Sequence, residues 1–157
     1  MMIFGRRLSE YVQYCKVFLI FIAAVGIARL ALSLGGAPIA TAKWFSITAA
    51  STIGTFYYGV RVHTSGFGSY KQLLVIYALL NIVSQTVIIS GILLAIFTGA
   101  PNIFSAPEYA FGSDGATWIH AGAHLLIGTV AGSLGPWAIG SLVMFVTRKL
   151  APSDAKT

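Results

Sequence analysis

Charge is scarce in this chain, and negative charge scarcer still. Among 157 residues there are four acidic side chains against ten basic ones, and charged residues make up 9% of the total. A soluble domain carries about 25%, so there is too little polar surface here to cover a water-facing exterior. Cysteine is nearly missing as well. Cys15 stands alone, which excludes an intrachain disulfide and any dithiol chemistry within one chain. What fills the sequence is apolar: 57% hydrophobic residues and a mean hydropathy of +0.83, the composition of an integral membrane protein. A formal charge of +6 would suit nucleic acid. The basic residues, however, flank apolar runs as snorkelling anchors do and leave no soluble basic face, so no nucleic-acid partner is expected.

Four apolar runs predict helices over about 14–34, 42–62, 72–98 and 118–147, each long enough to cross a bilayer. The expected fold is a single all-α domain, an integral membrane four-helix transmembrane bundle. Residues 1–11 read as an amphipathic lead on the membrane surface. The first run follows Arg6, Arg7 and Lys16 like a signal peptide, but it continues past Arg29 to Leu34 and is read as the first span. Gly35-Gly36-Ala37-Pro38 stops it. In the second run Trp44, Tyr57 and Tyr58 are expected at the interfaces, and Thr48, Ser51, Thr52 and Thr55 form one hydroxyl face, bonded to carbonyls one turn back. In the third run Asn81, Ser84 and Gln85 share a face and are expected to hydrogen-bond between helices or to line a polar path.

Basic residues set the expected orientation. Arg6, Arg7, Lys16, Arg61, Lys71, Arg148, Lys149 and Lys156 fall at the termini and the second loop, whereas Lys43 lies on the other side and the 99–117 loop has Glu108 and Asp114 but no Lys or Arg. By the positive-inside rule the termini are cytoplasmic and the 99–117 loop is outside. His63 then lies at the cytoplasmic end as a turn or headgroup contact, and Glu10 as a surface charge beside Arg6 and Arg7.

The last run, from Trp118 to Val146, is the most informative stretch. Taken every fourth residue it reads His120, His124, Gly128, Gly132, Pro136, Gly140. Residues four apart form one slanting ridge of a helix, so two imidazoles continue into a row almost without side chains. Gly128 and Gly132 make a GxxxG pair, which lets helix backbones touch in lipid. The neighbour is expected to be the first helix or the same helix of a second copy, and a bend is expected at Gly135-Pro136. Counted at about 1.5 Å per residue, His120 lies about 3 Å and His124 about 9 Å below Trp118, and Arg29 about 7–8 Å below Leu34. Thr48 and Ser51 fall in the same layer, beneath Glu108 and Asp114.

Imidazoles at i and i+4 can share one metal ion, with a carboxylate as third ligand. His120, His124, Glu108 and Asp114 are therefore candidate ligands for zinc, iron, copper or manganese. Haem b is a weaker option, because two histidines one turn apart cannot take opposite faces of one haem. Ala121 follows His120, so the base of an HExxH protease is missing. Arg29 and Ser51 are candidate cofactor-binding residues beside this centre. The competing expectation needs no metal: Arg29 pairs with Glu108 or Asp114 to latch the loop, while the imidazoles bond the hydroxyls of the second helix. Anionic lipid or substrate at Arg29 and Lys43 is a further alternative. Three classes follow: a metal- or haem-binding membrane protein, possibly redox-related; a non-catalytic subunit of a larger membrane complex; or a small transporter lined by Asn81, Gln85 and the hydroxyls. With so little exposed mass, a homo-oligomer or larger complex in the lipid bilayer is expected.

Overall fold

The computed structural model describes residues 1–110 and 114–151. Lys156 and residues 111–113 of the 99–117 loop lie outside the described residues. The chain opens on a small hairpin, β1 (Met2–Ile3) against β2 (Arg6–Arg7), with Met2 opposite Arg7. Phe4 and Gly5 make its turn with φ of 47° and 83°, the left-handed pair that two-residue hairpin turns require. Of the lead expected over residues 1–11, the first seven form this hairpin and Leu8 onward belong to the first helix. Helix α1 (Leu8–Leu34) starts earlier than predicted because Glu10 closes its first turn, accepting the Arg7 N–H at 2.7 Å and pairing with Arg6 at 3.1 Å. The predicted glycine stop holds, with Gly36 at φ 81°.

A short turn of helix, α2 (Ile39–Ala42), follows. Then come α3 (Ile47–Thr64), capped by Ser46, and α4 (Tyr70–Thr98), closed by a Ser69–Gln72 capping box and ended by Gly99 at φ 69°. After the outer connection, with its 3-10 turn at Pro107–Tyr109, helix α5 (Trp118–Leu150) runs to the end of the described chain. Thr117 caps it by accepting the His120 N–H at 3.2 Å. Helices α1, α4 and α5 are long and apolar enough to cross a membrane. The 18 residues of α3 extend about 27 Å at roughly 1.5 Å per residue.

Successive long helices alternate in direction. Tyr14 of α1 bonds Ser65 at 2.8 Å beyond the end of α3, while Gly26 of α1 meets Ile47 at its start. At one end the hairpin is tied to the 65–72 turn, Arg6 Nε donating to Phe67 O at 2.6 Å and Gln72 Nε2 to Phe4 O at 2.7 Å. His63 Nε2 lies 3.1 Å from Ala151 O, bringing the end of α5 to this same side. At the other end the outer connection folds back, Ile103 N–H donating to Ser33 Oγ at 2.8 Å and Asn102 Nδ2 to Gly91 O at 2.7 Å. Of the expected interfacial aromatics, Trp44 is 82% exposed but Tyr58 only 2%. Tyr58 packs against Tyr14 and Phe18 of α1 and belongs to the core.

Within the chain the glycine ridge of α5 does not meet α1. It receives α4, whose Tyr77, Asn81 and Gln85 are themselves spaced by four. A methyl group on Gly128 would lie 2.9 Å from Gln85 Nε2, one on Gly132 2.5 Å from Asn81 Oδ1, and one on Gly140 would overlap the Tyr77 hydroxyl. The missing side chains are thus seats for three polar ones, in antiparallel register. The helix runs through Pro136 without a break, and an irregularity that the sequence did not signal falls earlier, at His124–Gly128, as a π-helical turn.

Candidate functional site

The α4 polar row meets α5 at the end of the π turn and just beyond it. In hydrocarbon every polar group needs a partner. Asn81 Nδ2 donates to Gly128 O at 3.2 Å, Thr129 O at 2.7 Å and Ser133 Oγ at 3.1 Å. Flipping this amide would set its oxygen against two carbonyls, so the network fixes its orientation. Thr129 Oγ1 donates to His124 O at 3.3 Å, and Gln85 Nε2 to Asn81 Oδ1 at 3.3 Å.

That chain of donors fixes the histidines. With the Gln85 amide nitrogen turned to Asn81, its Oε1 is the acceptor that faces His124 Nδ1 at 2.8 Å. His124 must carry its proton on Nδ1. His120 Nδ1 lies 2.8 Å from Gly115 O, an acceptor only, so it carries its proton there as well. The rings have centroids 4.9 Å apart, and the neutral tautomer that fits each Nδ1 contact leaves Nε2 free to accept or to bind a metal. The partners are a loop carbonyl and an α4 amide, not the expected hydroxyls of α3.

The remaining predicted site residues are not gathered round the pair. Glu108 and Asp114, both exposed, line an outer cavity of about 670 Å³ with Ser33, Asn102 and Ser105. Asp114 accepts the Ala116 N–H at 2.9 Å. Among the described residues no three His, Cys, Asp or Glu side chains converge as a metal-ligand group. Nor does Arg29 pair with either acid, since the ion pair among the described residues is Arg6–Glu10. Arg29, 9% exposed, lies between two rings, its guanidinium carbon 5.5 Å from the Phe104 centroid and 5.0 Å from that of Tyr109. Its Nε is enclosed without a hydrogen-bond acceptor. The latch over this end is aromatic, with Phe104 resting on Gly91 of α4. Ser51 sits on another wall, 3.4 Å from Ser84 Oγ across the α3–α4 contact.

The α3 hydroxyls and α4 amides, expected together as a polar lining, do border one cleft of about 340 Å³, where Ser51, Thr55, Asn81, Ser84 and Gln85 face Gly132 and Pro136 of α5. A recess of about 30 Å³ extends it inward to Tyr77. What the sequence did not signal is that the bare ridge of α5 forms the third wall. No protein family matches the chain, and no curated relative or solved structure matches it either.

Proposed function

We propose that this is a small polytopic membrane protein, a four-helix transmembrane bundle, that binds one transition-metal ion through the Nε2 atoms of His120 and His124 in the outer leaflet. The observation that carries the reading is the hydrogen-bond partner at each Nδ1. Metal-bound histidines give their other ring N–H to a carbonyl or similar acceptor, which fixes the tautomer and raises ligand basicity. Gly115 O and Gln85 Oε1 do this for the two rings.

The donor set narrows the metal. Without Glu108 or Asp114 beside the pair, manganese loses the oxygen ligands it favours, and copper or zinc suits two imidazoles best. Haem b fits poorly, since its second axial ligand would have to come from another chain. Two nitrogens fill half of a four-coordinate shell. Water or the same pair of a second copy completes it, in keeping with a homo-oligomer or larger membrane complex. The positive-inside rule puts the termini in the cytoplasm and the 99–117 loop outside, so the ion is taken from that side.

Titration of detergent-purified protein with copper and zinc tests this. Saturable uptake is expected, one ion per chain where water completes the shell and one per two chains where a second copy does, lost in both His120→Ala and His124→Ala. Wild-type protein that takes up neither metal overturns the reading and leaves the imidazoles as struts that hold the outer loop to α4, the role of a non-catalytic subunit.

A further inference from the structure

The cleft between α3, α4 and α5 differs from an ordinary interhelical polar seam in which of its hydrogen-bonding groups are still open. Thr55 Oγ1 donates to Ser51 O at 2.9 Å and Tyr77 Oη to Thr55 O at 2.6 Å. Both amide hydrogens of Asn81 are held by α5, and Ser51 can give its own to Ser84. The polar hydrogens round the inner recess are thus committed within the protein, while lone pairs on Ser51, Thr55, Tyr77 and Asn81 are left over. One further acceptor comes from the backbone. Pro136 has no N–H, so it cannot serve the carbonyl of Gly132 four residues earlier, and both residues line the recess.

A wall of oxygen acceptors calls for a ligand that only donates or carries positive charge. We infer that the recess is a site for a single monovalent cation, an alkali ion or ammonium, held by these neutral oxygens. Hard cations take hydroxyl and carbonyl oxygens, and backbone carbonyls freed from a helix at membrane depth serve as such ligands. No Asp, Glu, Lys, Arg or His lines either space, and because the cost of desolvating an ion grows with the square of its charge, an uncharged shell selects single over double charge. The size agrees: about 30 Å³ holds one water-sized particle. This site is separate from the histidine pair: Gln85, which faces His124, lines the larger cleft but not the recess.

The test uses the full chain in lipid nanodiscs with chelator present, following thermal unfolding by tryptophan fluorescence. Sodium, potassium and ammonium chlorides are titrated against choline chloride at fixed ionic strength. A saturable rise in midpoint is expected with at least one of the three and not with choline. A response to sodium or potassium marks a spherical ion, and one to ammonium alone marks a directional donor. Pro136→Ala, which restores an N–H to the Gly132 carbonyl, and Thr55→Val should each raise the half-saturating concentration about tenfold, as expected for losing one ligand of hydrogen-bond strength. His124→Ala should leave it unchanged. Identical behaviour in all four salts, or an unaltered response in both Pro136→Ala and Thr55→Val, overturns the inference.

Discussion

The seat of Asn81 on Gly132 can be tested by a double-mutant cycle. Asn81→Ala removes three contacts to α5, at 3.2, 2.7 and 3.1 Å. Hydrogen bonds between membrane helices average about 0.6 kcal/mol each, so the loss should be about 2 kcal/mol. Gly132→Ala sets a methyl group 2.5 Å from Asn81 Oδ1 and 2.9 Å from its Cγ, a clash that should cost about 1–3 kcal/mol by overpacking. In the double variant the obstruction has gone. Its destabilisation should fall short of the sum of the two by at least about 1 kcal/mol. Reversible unfolding in mixed micelles measures all four corners. Additivity within about 0.5 kcal/mol would show that Gly132 and Asn81 do not touch, and with that the account of the ridge fails.

Gln85→Leu keeps both histidines but removes the acceptor at His124 Nδ1, and should weaken copper or zinc binding about 10- to 100-fold by isothermal titration. Unchanged affinity would mean the amide does not set the tautomer. Arg29→Met replaces an enclosed charge that has only ring faces for company. Its unfolding free energy should be unchanged or raised by up to about 2 kcal/mol, a loss of cation–π attraction offset by the desolvation no longer incurred, whereas a loss of more than about 1 kcal/mol would reveal an anionic partner. Cys15, fully buried with its thiol 3.0 Å from Tyr11 O, should resist a maleimide in detergent and react only after denaturation. Prompt labelling of the folded protein would contradict the packing of α1.

The helices, the glycine stop after Leu34 and the bare ridge of α5 were legible because each is a local pattern of period or punctuation. The identity of the ridge's partner was legible only in hindsight. Tyr77, Asn81 and Gln85 repeat every four residues, as Gly128, Gly132 and Gly140 follow a row of that spacing, and two such rows fit in antiparallel register. The π turn at His124–Gly128 has no local signal in the sequence, and the amide that meets its last carbonyl lies 47 residues away. Glu108 and Asp114 were placed over the histidines by loop length alone. A connection without periodicity gives no bearing on direction, and it carries them instead to the cavity beside Ser33. For Arg29 the charge rule suggested a carboxylate where the fold supplies Phe104 and Tyr109.

The central claim concerns where two protons sit. Nitrogen-15 NMR of histidine-labelled protein in micelles separates protonated from bare ring nitrogens. Both His120 and His124 should show a protonated Nδ1 and a bare Nε2 at neutral pH, and it should be the Nε2 resonances that move when copper(I) or zinc is added. A ring protonated on Nε2, or metal that leaves both Nε2 signals in place, would contradict the site.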